Sequence, residues 1–199
     1  MLEIVLATHN VHKIREIKEI LGEMPFHFLS LDDDPTLPDV NEDGMSLEEN
    51  ALKKAAVISK HTGLPALADD TGLEVFSLGL QPGVLSARYA GEHVTYAENN
   101  AKLLKELNGK TASERKARFR CVAALVGDGV EKLAVGICHG TIIDVPRGRE
   151  GFGYDPLFLP DGYERTFAEL APEIKNDISH RAKAFRHMKK ILLEFVPAV

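Results

Sequence analysis

Two adjacent carboxylates interrupt the apolar stretch Leu64 to Val75, L-P-A-L-A-D-D-T-G-L-E-V, and this feature constrains the fold more than any other. The run up to Ala68 reads as a buried strand that delivers Asp69 and Asp70 at its end, and Leu73 to Leu78 reads as a further strand beyond the Thr71-Gly72 turn signal. Carboxylates at the edge of a core lose their hydration unless a cation neutralises them. A divalent metal ion is therefore the natural partner of the pair. A plain turn built on Asp, Thr and Gly is the competing explanation.

The chain of 199 residues is long enough for one domain with a sizeable core, or for two lobes sharing a cleft. Its 24 basic against 30 acidic residues argue against a general binder of nucleic acid or of membrane surfaces, which needs a basic footprint. Small anionic substrates stay open, provided local cations handle the charge. The apolar runs fall far short of the roughly 20 residues that span a bilayer. The opening M-L-E-I-V-L-A reads directly as a strand, with no basic leader. Cys121 and Cys138 sit in strand-like runs, as expected of buried free thiols in a reducing cytoplasm, with a single disulfide as the alternative.

Leu2 to Ala7 reads as a buried strand, and Ile14, Ile17, Ile20 and Leu21 then recur with helical spacing up to Gly22. The turn Thr8 to Asn10 thus joins strand to helix. Such a turn offers free backbone N–H groups and the positive end of a helix dipole. Thr8, Asn10 and Lys13 add a hydroxyl, an amide and an ammonium, a set that suits phosphate, although ordinary capping uses the same residue types.

Phe26 to Leu31 should be a second strand and Asp32 to Asp34 a solvated turn. Ser46 and Glu49 form a capping box before a helix with Leu47, Ala51, Leu52, Ala55 and Ile58 facing inward, ending at Gly63. Glu42, just ahead of it, is free to point into a cleft. Thr95 and Glu98 open another helix, with Ala97, Ala101, Leu104 and Leu107 inward. Phe119 to Val126 and Val130 to His139 flank G-D-G as a hairpin, and Gly140 to Val145 reads as one more strand. The sheet is therefore not purely parallel.

A second stretch with chemical character is R-G-R-E-G-F-G-Y-D-P, Arg147 to Pro156. Its glycines let backbone approach a flat ligand, and Phe152 and Tyr154 offer ring faces for stacking. The spacing of Gly148, Gly151 and Gly153 fits neither a P-loop nor the dinucleotide fingerprint. The C-terminal helix carries Lys175, Ser179, His180 and Arg181 at its entry and Phe185, Met188, Leu192 and Phe195 on its inner stripe. Cations crowded at a helix N-terminus oppose its dipole, so function explains them better than helix stability does.

In order and spacing, six motifs together resemble the inosine/xanthosine triphosphate pyrophosphatase family over nearly the whole chain. They are T-x-N-x-x-K-x-x-E from Thr8, E-D-G-x-S-x-x-E-N-A from Glu42, A-D-D-T-G-L from Ala68, P-G-V-x-S-A-R-Y-A from Pro82, G-F-G-Y-D-P from Gly151 and K-N-x-I-S-H-R from Lys175. One departure is Thr71, where bacterial members usually carry serine; the hydroxyl is kept.

The resemblance implies an α/β chain forming a single domain over residues 1–199. Its fold would be elongated and mixed, with a central twisted sheet, flanking helices and a deep cleft between two lobes. It further implies a cytoplasmic homodimer that uses Mg²⁺ to hydrolyse ITP, dITP or XTP to the monophosphate and pyrophosphate. By the same resemblance Asp70 is the general base, aided by Asp69 and Lys13, and Glu42, Asp69 and Asp70 hold or orient the metal. Thr8, His9, Asn10, Lys13 and Thr71 hold the triphosphate. Phe152 stacks on the purine, and Gly153, Tyr154, Asp155, Lys175, His180 and Arg181 surround it. A related pyrophosphatase acting on pyrimidine or modified nucleotides and a non-catalytic nucleotide-binding module are the alternatives; the second would need no carboxylate pair.

Overall fold

Strands that are apolar on both faces belong in the middle of a parallel sheet, and Leu2–Leu6 (β1) is one: Ile4, Val5 and Leu6 are all buried. In the computed structural model, which describes residues 2–31 and 36–194, β1 lies parallel to Phe26–Ser30 (β2) on one side and to Ala66–Val75 (β3) on the other. Lys116–Gly127 (β4), Val130–Ile142 (β5) and Phe158–Pro160 (β6) complete a six-stranded sheet of order β2-β1-β3-β4-β5-β6. β6 runs antiparallel to β5, so the sheet is mixed. The helices are Val11–Leu21 (α1), Leu47–Thr62 (α2), Tyr96–Glu106 (α3), Pro172–Ile178 (α4) and His180–Glu194 (α5). The expected acidic turn at Asp32 to Asp34, and Phe195 on the last inner stripe, lie outside the described residues.

The chain forms two compact units. One comprises Met1–Asp70, Cys121–Gly136 and His180–Val199. Its core gathers Leu6, Ile17 and Leu21 with Leu67, Phe185, Met188 and Leu192, and α1 packs on α5. The other comprises Thr71–Arg120 and Ile137–Ser179. Its core is aromatic, with the Phe119 and Phe158 rings 4.7 Å apart edge to face and the Phe158 and Phe167 rings 5.0 Å apart. Cys121 and Cys138 are buried free thiols. Among the described residues no helix is long and apolar enough to cross a membrane.

Four details differ from the sequence reading. β3 does not stop at its acid pair but runs unbroken from Ala66 to Val75. Gly72 permits this, because a Cβ there would sit 2.6 Å from the Gly83 carbonyl oxygen. β5 continues to Ile142, absorbing most of the separate strand expected at Gly140 to Val145, and the three-residue β6 is too short to leave a period in the sequence. In α3, Ala97 and Ala101 are exposed, and the inner stripe is Asn99 and Leu103, with Leu107 just beyond. Asn99 sets this phase: its Oδ1 accepts the Ala90 N–H at 2.8 Å and its Nδ2 donates to the Ala87 carbonyl at 3.0 Å. Finally, the C-terminal helix is two helices, broken at Ser179, which is extended at φ −66°, ψ 162°.

That break starts α5 at His180, against β5. At Gly136 the strand lies so close to the helix that a methyl group would run into the His180 carbonyl oxygen and the Ala184 amide nitrogen. Gly136→Ala should therefore lower unfolding stability by about 1–3 kcal/mol through overpacking. Urea midpoints would read this, and an unchanged midpoint would show that strand and helix are not in close contact.

Candidate active site

The first unit holds the turn between β1 and α1. Asn10 is the N-cap of α1, its Oδ1 accepting from His12 N at 3.0 Å and Lys13 N at 3.2 Å, while Thr8 Oγ1 accepts from Asn10 N at 3.2 Å. Three backbone N–H groups expected to be free for phosphate are thus already used within the turn. What remains for an anion is the dipole and the side-chain donors of Thr8, Asn10 and Lys13. His9 is half exposed, with Nε2 3.5 Å from Asp39 Oδ1.

Asp69 is completely buried in β3 and lies among cations. Lys13 Nζ is 3.2 Å from its Oδ1, and Arg181 Nη2 donates to its Oδ2 at 3.0 Å. The other end of the Arg181 guanidinium, Nη1, donates to Glu16 Oε2 at 2.6 Å, and Arg181 is itself only 1% exposed. The Cys121 thiol lies 3.9 Å from the same Asp69 oxygen. Burial alone would raise the proton affinity of Asp69, but Lys13, Arg181 and Lys54 outweigh it and hold the carboxyl well below the usual range.

Asp70 is in the opposite state. Burial pushes its carboxyl above the ordinary carboxylate range and Glu42 adds to the effect, against the opposing pull of Lys54, Lys13 and Asn50. Lys54 Nζ lies 3.7 Å from Asp70 Oδ1, 2.5 Å from Glu42 Oε1 and 2.7 Å from the Asp69 carbonyl oxygen. Burial would lower the Lys54 pKa, yet Asp70, Glu42 and Asp69 together raise it. Lys54 is therefore a buried ammonium organising both ends of the acid cluster.

The segment carrying Glu42 is zipped onto α2 residue by residue. Asp43 pairs with Lys53 at 2.5 Å, Gly44 N donates to Asn50 Oδ1 at 2.8 Å, Met45 N to Glu49 Oε2 at 2.7 Å, and Glu49 N to Ser46 Oγ at 3.1 Å. A Cβ on Gly44 would sit 2.6 Å from the Asn50 oxygen, so the E-D-G-x-S-x-x-E-N spacing reflects direct contacts. Glu42 is held here by Lys54 rather than projecting freely.

These donors can be weighed against a metal. Among the described residues no group of three or more His, Cys, Asp or Glu is arranged to hold an ion. Asp69 does not suit the task, since each of its oxygens already faces a cation. Glu42 and Asp70 do suit it: two carboxylates flank a single ammonium, and Mg²⁺ commonly takes one or two carboxylates and completes its shell with water.

In the second unit, Asp155 Oδ2 accepts from Lys175 Nζ at 2.6 Å and from Phe152 N at 2.9 Å. Both charged residues are nearly buried, and Lys175 Nζ stands 5.0 Å from the Phe152 ring centre. Tyr154 is buried, its hydroxyl donating to the Ser86 carbonyl at 2.9 Å, so its ring is a structural strut. Gly153 adopts φ 62°, which favours glycine, and Thr71 is half-buried. Tyr89 is buried beneath Lys102, whose Nζ lies 4.3 Å from the ring centre.

The structure thus brings Lys13, Asp69, Asp70, Glu42 and Arg181 into one electrostatic cluster in the first unit. His180, also buried there, opens α5 beside Arg181. Asp155, Lys175 and Phe152 form a second cluster in the other unit. Sequence reasoning passed over Lys54 and carried Asn50 and Glu16 only as motif positions, without a role. The available signal was Asn50 and Lys54, one helical turn apart on the buried side of α2, because a lysine is rarely buried without a partner.

An acid pair ringed by lysines and an arginine, next to a turn with side-chain donors, is a set of groups suited to a phosphate-bearing ligand. The chain belongs to the Ham1 family, whose model matches residues 4–191. It is 52% identical over 190 residues, 95% of this chain and 96% of the relative, to a dITP/XTP pyrophosphatase of Geobacter sulfurreducens. It is 47% identical over 193 residues, 97% and 98% of the two chains, to one of Thermoanaerobacter pseudethanolicus. A HAM1 protein structure from Coxiella burnetii superposes with a TM-score of 0.89 at 44% identity, covering 98% of this chain and 100% of that one.

The two acids should respond oppositely to neutralisation. Asp69→Asn leaves Arg181 and Lys13 facing an amide and should cost about 3–5 kcal/mol at neutral pH. The Asp69 contribution is complete above its unfolded pKa near 3.9 and is lost as pH falls through the lower folded value. For Asp70 the folded pKa is raised, so its protonated form is favoured by folding and stability is lost as pH rises through that value. Asp70→Asn should therefore match or exceed wild-type stability at neutral pH, and its advantage should shrink on acidification. Urea midpoints of the Asp70 variant from about pH 4 to about pH 8, and of the Asp69 variant from about pH 2 to about pH 7, check the two signs.

Proposed function

We propose that this Ham1-family chain hydrolyses non-standard purine nucleoside triphosphates, among them dITP, XTP and ITP, to the monophosphate and pyrophosphate with Mg²⁺. The observation that carries the reading is the acid pair in unlike surroundings, Asp69 between Lys13 and Arg181 and Asp70 beside Lys54 and Glu42, which shift their proton affinities in opposite directions, the signature of divided roles in a site. The names of the relatives supply the substrate class.

In this reading Asp70 takes a proton from the attacking water, its affinity for that proton raised by burial. Lys54 and Asn50 orient it, and Asp69, kept ionised by Arg181, holds Lys13 at the phosphates. Mg²⁺, held by Glu42 and Asp70, would neutralise phosphate oxygens and orient the pyrophosphate leaving group. Thr8, Asn10 and His9 add donors to the triphosphate.

Phe152 stacks on the purine, and the Lys175–Asp155 pair reads its edge. Hypoxanthine and xanthine carry an oxygen acceptor where adenine carries an amino donor. A donor such as the Lys175 ammonium, beyond its bond to Asp155, finds an acceptor on the oxo-purines and an opposing donor on adenine, a mismatch that can discriminate by roughly 10⁴ or more. Two buried free thiols support a reducing compartment such as the cytoplasm. Phe76, Leu80 and Leu85, each 44–45% exposed within one short segment, support a homodimer.

A panel of standard and deaminated NTPs and dNTPs, with and without Mg²⁺, scored for pyrophosphate against phosphate, tests the reading. Pyrophosphate release from dITP and XTP far above ATP is expected, and it should vanish with chelator. Asp70→Asn should lower kcat by about 10²-fold or more, and Lys13→Ala should mainly raise KM. Release of orthophosphate, or equal turnover of ATP, would sink it.

A further inference from the structure

Phe152 sits between Gly151 at φ 76° and Gly153 at φ 62°, a backbone with more conformational freedom than any other residue type would allow. A ring mounted on such a loop needs anchors from elsewhere in the fold. Asp155 supplies one by accepting the Phe152 N–H, and Lys175 flanks the ring. Helix α3 supplies two more. Tyr96 brings its ring centre to 6.2 Å from that of Phe152 with the planes tilted by 46°, and Asn100 Nδ2 donates to the Gly153 carbonyl at 3.1 Å.

Tyr96 and Asn100 are four residues apart, so they lie on one face of α3. By helical spacing they border the stripe of Asn99 and Leu103 that seats the helix, Tyr96 at its exposed first turn. Tyr96 is 44% exposed and contributes little to the core, and the Thr95–Glu98 capping box makes the helix end without it. Core packing thus gives no reason for a large aromatic at this position, whereas its contact with Phe152 does. We infer that Tyr96 and Asn100 are positioning residues that set the plane of the Phe152 ring and so govern how tightly the purine is held. The inference rests on the proposed role of Phe152 in stacking.

The test compares wild type with Tyr96→Ala, Tyr96→Phe and Asn100→Ala. Three quantities are measured: the Kd of inosine monophosphate by calorimetry, KM and kcat for dITP, and the inhibition constant of inorganic tripolyphosphate, which has no base. Tyr96→Ala should raise the monophosphate Kd and the dITP KM by about three- to tenfold, the worth of one aromatic pair, with kcat within about twofold. Tripolyphosphate inhibition should be unchanged, Tyr96→Phe should restore wild-type values, and Asn100→Ala should weaken the monophosphate in the same sense. If Tyr96→Ala binds inosine monophosphate as wild type does, or loses tripolyphosphate inhibition in proportion, the inference is overturned while the hydrolase reading stands. If wild type itself neither binds the monophosphate nor turns over dITP, the hydrolase reading falls and this inference with it.

Discussion

Everything in the first unit is arranged around one buried charge, that of Asp69. A carboxylate completely withdrawn from water is tolerable only if cations replace its hydration. Here α1 sends Lys13, α5 sends Arg181, and α2 sends Lys54 to the carbonyl of the same residue. Three helices are thereby tied to one point of β3. Such networks add little net stability compared with a well-packed apolar core, but they penalise any arrangement that leaves one member unpaired. The network therefore specifies where those helices go, and the Gly136 contact lets α5 come close enough to take part.

The neighbouring Asp70 differs through its surroundings alone. Burial raises its proton affinity even though Lys54 faces both its carboxylate and that of Glu42 and Lys13 adds a weaker attraction. Two identical side chains, adjacent in one strand, thus have opposite proton affinities because successive residues of a strand face opposite sides of the sheet. One side is filled with cations, and the other sets the acid beside Glu42 with burial raising its proton affinity.

The second unit solves a different problem, which is holding a flat ring rigid on a glycine-rich loop. Its Asp155–Lys175 pair and the Asn100 bond act on backbone and charge, and Tyr96 acts on the ring. Tyr154, which the sequence offered as a second stacking ring, is instead buried with its hydroxyl bonded to Ser86, and that bond steadies the loop from beneath.

What the sequence determined by itself is mostly local. Short apolar runs marked β1, β2, β4 and most of β5, the caps at Asn10, Ser46 and Thr95 announced three helices, and the D-D-T-G segment pointed to the chemistry, since each of these signals acts within a few residues. Tertiary structure decided the rest. β3 passes through its turn-like residues because distant cations and the Gly83 backbone accommodate them, and α3 is rotated because Asn99 bonds to two carbonyl-side and amide-side groups of another segment. Arg181 was legible as a cation at a helix start, but its partners, Glu16 and Asp69, lie 165 and 112 positions away. Lys54 went unnoticed because one lysine in a charged helix looks like any other until folding buries it. Periodicity and capping are written in neighbouring residues, whereas charge compensation depends on which segments meet, and only the folded chain brings them together.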